Sequence, residues 1–334
     1  MTTVLYSETL YADDSVERDV FGPDVRLLVR DVGTLAELDA ADCEAAAGLI
    51  VMRHHVTAED FARFPRLRAV VRMGVGYDRI DRTAAAERGI LVCNVPDYGT
   101  AEVADHTMAL VLALRRGILL YQDTQRGEAP APWHPVNTPL VRRLDMQRFG
   151  IIGLGRIGTA VALRAKAFGF AVAFYDPYRP NGTERALGID RAPTLEALLE
   201  RADVLSLHAP LTEETRGMLG IDQLRLLPEG AVVVNTARGP ILDLAALEVL
   251  LREGSIAGAG LDVLPVEPPT DPVPDLLRAY RAQEPWLQGR LVITPHAAFH
   301  SPEAWADIRR KAAETMAAAL LGEAPQNVVA PTEW

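Results

Sequence analysis

The chain has 334 residues, which at roughly 150 residues per domain predicts two domains. Hydrophobic residues make up 49% and charged residues 24% of the chain, a composition typical of a globular protein that excludes a mainly disordered one. The formal charge of −11 argues against a nucleic-acid-binding surface, because such a surface concentrates lysine and arginine.

The composition and the N-terminal residues also indicate the compartment. Cys43 and Cys93 are the only cysteines, too few for a disulfide scaffold or a four-cysteine metal site. No basic segment followed by an apolar stretch opens the chain, so we expect no signal peptide. The longest apolar runs fall far short of the ~20 residues that a membrane span needs. We therefore expect a soluble, cytoplasmic protein.

The first hundred residues alternate between apolar runs and one helical pattern. Residues 58–64 are helix-like, and Thr57 precedes them as a suitable N-cap. Alternation of this kind predicts a parallel sheet with crossover helices. The predicted strands cover residues 25–29, 49–52, 67–71 and 90–92.

The pattern changes at residue 100. Residues 100–116 form one long helical pattern, with Glu102 in its first turn and Arg115 and Arg116 in its last. These charges complement the helix dipole. Residues 127–139 are too rich in proline for a helix or a central strand, so we expect an exposed arm or loop.

A second alternating series begins near residue 149, which predicts a second parallel sheet. Its strands are predicted over residues 149–153, 171–175, 204–207, 231–235, 258–261 and 291–294. Its helices are predicted over residues 157–168, 195–201 and 244–251, and a long alanine-rich helix follows over residues 302–321.

A dinucleotide-binding pattern lies at the start of this second series. Gly153, Gly155 and Gly158 have G-x-G-x-x-G spacing after an apolar strand. The first glycine permits a tight turn, the second lets the backbone approach a pyrophosphate, and the third lets the helix pack on the strand. The helix would begin at Arg156 and Ile157, where free N–H groups attract phosphate.

Asp176 completes the pattern, 23 residues after the first glycine and at the end of the next predicted strand. A carboxylate there binds ribose hydroxyls and repels a 2′-phosphate, which predicts NAD as the cofactor in preference to NADP. Arg179 lies nearby and is a residue type that can receive such a phosphate.

Three later stretches each begin as an apolar strand and end in polar residues. In an open α/β sheet, ligands bind beyond the carboxyl ends of the strands. We therefore expect the polar side chains of these stretches to converge near a bound nicotinamide: Arg238, Asp262, Glu267 and His296.

Seven motifs together resemble the D-isomer-specific 2-hydroxyacid dehydrogenase family over nearly the whole chain. They are RMGVGYDRID (72–81), VCNVPDYGTAEVADHTMALVLAL (92–114), GIIGLGRIG (150–158), LHAPLTEETRGML (207–219), VNTARGPILD (234–243), GAGLDVLPVEPP (258–269) and ITPHAAFHS (293–301). Within the family, the chain most resembles the C-terminal-binding-protein-like branch. The motifs that carry this closer match are MRHHVTAEDF (52–61), VVRMGVGYDRID (70–81), FYDPY (174–178) and TPHAAFHSPE (294–303).

The resemblance implies an α/β protein with a Rossmann dinucleotide-binding domain inserted into a flavodoxin-like substrate domain. The substrate domain would comprise residues 1–99 and 301–334, and the NAD-binding domain residues 100–300. The resemblance also implies a cleft that closes on the substrate. It implies a homodimer built largely by the cofactor domains and the segment around Trp133.

The resemblance also implies a catalytic set. Arg238 would bind and polarise the substrate, His296 would be the catalytic histidine, and Glu267 its carboxylate partner. Reduction of a 2-oxo acid needs a proton on the carbonyl oxygen, and a carboxylate-paired histidine suits that transfer near neutral pH. Arginine donates two parallel hydrogen bonds to a carboxylate and stabilises a developing oxyanion.

Further contacts follow from the same motifs. Val75 and Gly76 would hold the substrate carboxylate through backbone N–H groups, with Arg72 as an additional arginine facing it. Phe299 stands where the closer branch has a tryptophan, so the pocket would be aromatic but smaller in reach. The implied cofactor contacts beyond the glycine loop and Asp176 are Thr107, against a phosphate, Asp262, near the nicotinamide carboxamide, and His208, Ala209, Thr236 and Ala237.

The remaining histidines receive structural interpretations. His54 is interpreted as a cleft wall, His55 as a surface residue, and His106 as a packing or dimer-interface residue. His54, His106 and His134 lack the spacing of metal ligands, so we predict no metal.

Two other functions stay open from the sequence. The closer branch includes corepressors, so a binding protein that senses NAD(H) is one alternative, although an intact catalytic set favours an enzyme. A dehydrogenase acting on a phosphonate is another, because Arg72 and Arg238 would bind a phosphonate as well as a carboxylate. Glu267 argues against formate, because formate enzymes of this superfamily replace it.

Overall fold

The computed structural model describes residues 1–8, 13–126, 133–322, 324–325 and 327–332. The chain forms two compact units. The first unit combines the two ends of the chain, Met1–Gly99 and His300–Trp334, and the second comprises Thr100–Phe299. Residues 127–132 of the predicted proline-rich arm lie outside the described residues.

The strands of the two units, in chain order, are β1 (Thr2–Tyr6), β2 (Val25–Val29), β3 (Gly48–Val51), β4 (Ala69–Arg72), β5 (Leu91–Asn94), β6 (Arg148–Ile152), β7 (Ala171–Tyr175), β8 (Asp190–Arg191), β9 (Val204–Leu207), β10 (Ala231–Asn235), β11 (Ile256–Leu261) and β12 (Leu291–Ile293). The helices are α1 (Ser15–Phe21), α2 (Ala40–Ala45), α3 (Ala58–Ala62), α4 (Arg82–Glu87), α5 (Thr100–Arg115), α6 (Ile118–Arg126), α7 (Arg156–Ala167), α8 (Thr183–Leu187), α9 (Leu195–Leu199), α10 (Ile221–Leu224), α11 (Leu244–Glu253), α12 (Asp275–Arg281) and α13 (Pro302–Leu321).

The first unit is built on a five-stranded sheet in the order β2-β1-β3-β4-β5. Its described ladders are parallel, and the order is that of flavodoxin-like folds. Helix α13 lies directly on this sheet, because a Cβ on Gly48 would sit 2.4 Å from the sulfur of Met316. The glycine at the start of β3 therefore lets the last long helix approach closely.

The second unit is built on a parallel seven-stranded sheet in the order β12-β11-β10-β9-β6-β7-β8. This is the Rossmann order with one strand added at the edge. The chain reverses its direction across the sheet between β6 and β9, and ligands bind at such a switch point. Two apolar clusters cover the two faces of the sheet.

The predicted alternation of strands and helices and its parallel sheets are confirmed. The bounds of β2, β7, β9, β10 and α13 agree with the prediction, and the ends of the other predicted elements differ by at most two residues. Several elements were not predicted, including β1, α1 and α6. Strand β1 has only five residues, yet it pairs on both sides with β2 and β3. No helix in the described part of the chain is long and apolar enough to cross a membrane.

Arg115 has a different role from the one its position predicts. The predicted helix end is correct to within one residue, but Arg115 is buried rather than displayed at a solvated C-terminus. Its guanidinium donates to the carbonyl oxygens of Gly230 and Asp203. Burial lowers the pKa of Arg115 to about 10. The side chain therefore attaches α5 to the loops that precede β9 and β10.

Candidate active site

The glycine loop after β6 requires glycine at two of its three positions. Gly153 has a φ of +85°, and a Cβ there would lie 2.6 Å from the backbone nitrogen of Ala209. A Cβ on Gly158 would lie 2.1 Å from the carbonyl oxygen of Gly153. The loop, the start of α7 and the segment after β9 are therefore packed backbone against backbone.

The N-terminus of α7 has the geometry of a phosphate-binding site. Gly155 is its N-cap and supplies no side-chain hydrogen bond to the first turn. The nearest atom to a Cβ on Gly155 would be Nη2 of Arg179 at 3.8 Å, so the space beside this glycine is open. Arg156 is exposed and Ile157 half-buried at the first helical positions. Uncapped N–H groups at a helix start fit the pyrophosphate of a dinucleotide.

Asp176 lies at the end of β7, beside the glycine loop. One carboxylate oxygen accepts from the backbone N–H of Leu154 at 2.8 Å, and the other from that of Tyr178 at 3.0 Å. Nε of Arg179 lies 3.4 Å from the same carboxylate. The carboxylate is thus held in place next to the loop, which fits a group that meets the ribose hydroxyls.

His208 and Ala209 follow β9 and form the other wall of the glycine loop. The His208 Nε2 lies 2.8 Å from the Ser206 hydroxyl, and its Nδ1 is buried with no partner within the described residues. Burial lowers the pKa of His208 to about 3, so the ring stays neutral at physiological pH. Ala209 is nearly buried, and its backbone supports Gly153.

Thr107 and Thr236 meet each other behind this site. The Thr107 hydroxyl donates to the Val103 carbonyl at 2.7 Å and therefore accepts from the Thr236 hydroxyl at 2.9 Å. Thr107 is fully buried and Thr236 nearly so. The contact of Thr107 with a phosphate stays a prediction. Ala237, also expected at the cofactor, is half-buried after β10.

His296 and Glu267 form a hydrogen-bonded pair. The His296 Nδ1 lies 2.7 Å from Oε2 of Glu267, and Oε1 of the same carboxylate accepts from the backbone N–H of Leu264 at 2.9 Å. Because the carboxylate accepts, Nδ1 carries a proton, and Nε2 is the nitrogen that can exchange one with a substrate. About a third of the His296 side chain is exposed.

The backbone at His296 is strained and doubly held. Its φ is +53°, a left-handed conformation that costs a residue with a side chain about 1–2 kcal/mol. Its N–H donates to the carbonyl oxygens of Asp262 and Thr294. Strain of this kind persists where the surroundings determine the conformation, and it clusters at functional sites.

The Arg238 loop packs against the loop that carries Glu267. The Asn235 side chain ties this turn together, because its amide donates to the Arg238 carbonyl and its oxygen accepts from Ala237 N–H. A Cβ on Gly239 would lie 2.0 Å from the Leu264 carbonyl carbon. Gly239, the residue after Arg238, therefore packs directly on Leu264, whose backbone N–H donates to Glu267. Three separate strand ends are brought together in this way.

Asp262 is buried beneath the His296 loop. Its carboxylate accepts from the Thr294 hydroxyl at 2.6 Å and from the backbone N–H groups of Ala297 and Ala298 at 2.9 and 3.1 Å. Asp262 was expected near the nicotinamide carboxamide, and that contact stays a prediction. In the described structure its side chain holds the loop that carries His296.

The residues expected at the substrate carboxylate lie in the first unit, at the end of β4 and in the turn that follows it. A Cβ on Gly74 would lie 1.4 Å from Nη1 of Arg72, so the guanidinium covers this glycine. The Asn94 side chain donates to the Val75 carbonyl at 2.6 Å and fixes the turn. Val75 and Gly76 are both half-buried. Phe299, of the second unit, meets the His296 ring edge to face, with centroids 6.4 Å apart.

The other histidines have ordinary partners or are exposed. The His54 Nδ1 lies 2.9 Å from the Ser7 hydroxyl and its Nε2 3.0 Å from the Val32 carbonyl. His55 is exposed, as expected. No group of three or more histidine, cysteine, aspartate and glutamate side chains within the described residues could hold a metal ion.

His106 has a partner that the sequence interpretation missed. Its Nε2 lies 3.0 Å from the hydroxyl of Thr294, two residues before the catalytic histidine candidate. The motifs contain both residues, but neither the spacing nor the residue types indicate that they meet.

Comparisons with known proteins identify the class. A family model described as "D-isomer specific 2-hydroxyacid dehydrogenase, NAD binding domain" matches residues 108–298. The glyoxylate reductase of Korarchaeum cryptofilum is 41% identical over 293 residues, which cover 86% of this chain and 83% of that protein. The chain therefore belongs to the D-isomer-specific 2-hydroxyacid dehydrogenase family, an oxidoreductase family with a nicotinamide dinucleotide cofactor.

Solved structures agree over the full length. The D-lactate dehydrogenase of Aquifex aeolicus, complexed with NAD and lactic acid, has a TM-score of 0.84 at 27% identity and 98% coverage of both chains. The NADPH-dependent glyoxylate/hydroxypyruvate reductase of Sinorhizobium meliloti, complexed with NADP and malonate, has a TM-score of 0.82 at 29% identity. The match covers 99% of the present chain and 97% of the Sinorhizobium meliloti chain. The resemblance to the C-terminal-binding-protein-like branch stays a prediction.

Proposed function

We propose that this protein interconverts a D-2-hydroxy acid and its 2-oxo acid with NAD(H), using His296 as acid and base, Glu267 as its partner and Arg238 as the substrate-polarising cation. The observation that carries the proposal is the 2.7 Å hydrogen bond between His296 and Glu267. The Arg238 turn packs against the same loop through Gly239. An acid, its orienting carboxylate and a fixed cation are the groups that carbonyl reduction requires.

Each side chain has a distinct task in this reaction. A bound NADH supplies the hydride that reaches the carbonyl carbon. Protonated His296 donates its Nε2 proton to the carbonyl oxygen, while Glu267 holds the ring and stabilises its positive charge. Arg238 pairs with the substrate and stabilises negative charge on the oxygen before the proton arrives. In oxidation, neutral His296 accepts the hydroxyl proton.

The substrate carboxylate is assigned to the turn after β4. The N–H groups of Val75 and Gly76 are the donors, and Arg72 is an additional cation. This assignment is supported by the turn itself, which Asn94 holds through the Val75 carbonyl. A phosphonate would find the same donors, so the substrate panel below includes one.

NAD is proposed as the preferred cofactor on account of Asp176. Its carboxylate is held next to the glycine loop by Leu154 and Tyr178, where it would repel a 2′-phosphate. We expect NADH to exceed NADPH in kcat/KM by at least about tenfold, or about 1.4 kcal/mol. Equal values for the two cofactors would show that Arg179, 3.4 Å from this carboxylate, dominates instead. Asp176→Ala should lower the ratio of kcat/KM for NADH to kcat/KM for NADPH.

The proposal includes a cytoplasmic homodimer that binds small molecules. Two relatives of known structure were solved in complex with small organic acids, lactic acid in one and malonate in the other. A face of α6 is available for a second copy, since no residue of this helix is buried.

A substrate panel tests the proposal. NADH oxidation is measured against glyoxylate and against branched, thioether, aryl and phosphono 2-oxo acids, and the product is resolved on a chiral column. We expect turnover of at least one 2-oxo acid to its D-isomer, abolished by Arg238→Ala. Tight NADH binding without turnover of any member would favour the NAD(H)-sensing binding protein instead.

A further inference from the structure

A chain of hydrogen bonds joins helix α5 to the loop that carries His296. The His106 Nε2 lies 3.0 Å from the Thr294 hydroxyl oxygen, and that hydroxyl lies 2.6 Å from Oδ1 of Asp262. The Asp262 carboxylate also accepts from the backbone N–H groups of Ala297 and Ala298. The proposed reaction assigns no task to His106 or Thr294.

The direction of each bond follows from counting protons. A carboxylate that faces three donors acts only as an acceptor, so the Thr294 hydroxyl gives its single proton to Asp262. The Thr294 oxygen must then accept from His106, which requires the proton of the imidazole on Nε2. The three groups therefore form one directed series, from His106 to Thr294 to Asp262.

Hydrogen bonds in series strengthen one another, especially where the local dielectric is low. Donation from His106 polarises the Thr294 hydroxyl and strengthens its bond to Asp262, whose side chain is almost fully buried. Asp262 in turn holds both backbone N–H groups immediately after His296. This support acts where it is needed, because the backbone at His296 is in the strained left-handed region.

We infer that His106 and Thr294 are positioning residues, which act through Asp262 to hold the His296 loop in the conformation where the imidazole meets Glu267. The inference rests on the proposed role of His296. Neither residue touches the reacting atoms of the proposed reaction. Their loss should lower turnover by misplacing the acid, since small errors in the position of a catalytic group cost large factors in rate.

Paired substitutions separate this role from simple packing. His106→Phe and Thr294→Val remove the donor or the hydroxyl at similar volume, while His106→Gln and Thr294→Ser keep a group of the right type. We expect kcat to fall about tenfold or more in the first pair, with KM for NADH within about twofold of wild type. The conservative pair should keep more than half of the wild-type kcat. His55→Phe, at an exposed histidine, is the control.

A second readout does not depend on turnover. Amide hydrogen exchange in the protein without cofactor should be faster at Ala297 and Ala298 in His106→Phe and Thr294→Val, and unchanged in His55→Phe. The inference would be overturned by an unchanged kcat in both His106→Phe and Thr294→Val. It would also be overturned if kcat fell equally in His106→Gln and His106→Phe, or if exchange at the two amides did not change. If instead His296→Ala turned over normally, the proposed function would fail while the exchange result could still hold.

Discussion

The chemistry proposed for this protein depends on one nitrogen of one side chain, Nε2 of His296. Substitution of His296 by alanine leaves only water to protonate the carbonyl oxygen. We expect kcat to fall by about 10²–10⁴-fold, the usual contribution of a positioned acid or base. Steady-state NADH oxidation with the best panel substrate measures this, and an unchanged NADH dissociation constant is the control. Near-wild-type turnover would remove His296 from the mechanism.

Glu267→Gln tests the partner separately. The amide can still accept a hydrogen bond from Nδ1, but it no longer stabilises a positive imidazolium. The variant should therefore retain more activity than His296→Ala. As the pH rises, its rate of 2-oxo acid reduction should decline at a lower pH than the rate of wild type, because reduction needs the protonated imidazole. A pH–rate profile that matches wild type would show that the carboxylate charge is not used.

Phe299 is the residue on which we base a substrate preference. Its ring contacts His296 edge to face, so we expect it to face the group beyond the oxo carbon. Covering about 40 Å² of apolar surface is worth roughly 1 kcal/mol, or about fivefold in kcat/KM. Medium-sized apolar 2-oxo acids should therefore exceed glyoxylate, and Phe299→Ala should narrow the gap. An unchanged ranking in the variant would contradict this pocket assignment.

The glycine loop and the start of α7 have two roles, packing against the Ala209 backbone and binding the cofactor phosphate, and the two roles can be separated by substitution. Gly153→Ala forces a Cβ onto the Ala209 backbone at a positive φ, which should cost about 1–3 kcal/mol and lower Tm by several degrees. Gly155→Ala adds a methyl group in open space, so Tm should stay within about a degree. It should nonetheless weaken NADH binding about tenfold, by keeping the pyrophosphate from the backbone.

Differential scanning calorimetry and NADH fluorescence titration of both variants check this pair. A stable Gly153→Ala protein would show that the packing against Ala209 relaxes easily. Normal NADH affinity in Gly155→Ala would contradict the assignment of the phosphate site to the start of α7.

The elements themselves were largely predictable, because each βα unit carries its own apolar period and turn glycines. Thr57 illustrates this, since the predicted N-cap forms a capping box with Asp60. Strand β1 was missed because its five residues contain no turn signal, and its place between β2 and β3 depends on partners 23 and 44 residues away along the chain.

For the whole molecule, the prediction that remains is the homodimer. Trp133 is 91% exposed and Ile118, at the start of the unburied helix α6, is 53% exposed. We expect light scattering to give twice the chain mass of 36.3 kDa, and Trp133→Asp to shift the protein toward the monomer. Leu321→Asp, at an exposed leucine elsewhere, is the control and should leave the mass unchanged. A monomeric wild type would contradict the dimer.

The family and the α/β fold class can be read from the sequence alone, and Arg238, Glu267 and His296 can be predicted from it as catalytic candidates, because spacing within a motif is local information. The burial of Arg115 and the contact between His106 and Thr294 become visible only in the folded protein. His106 and Thr294 are 188 positions apart in the sequence, and their contact depends on how α5 packs beside β11 and the end of β12. Proton directions in such a series follow from neighbours in space, which a linear pattern does not contain.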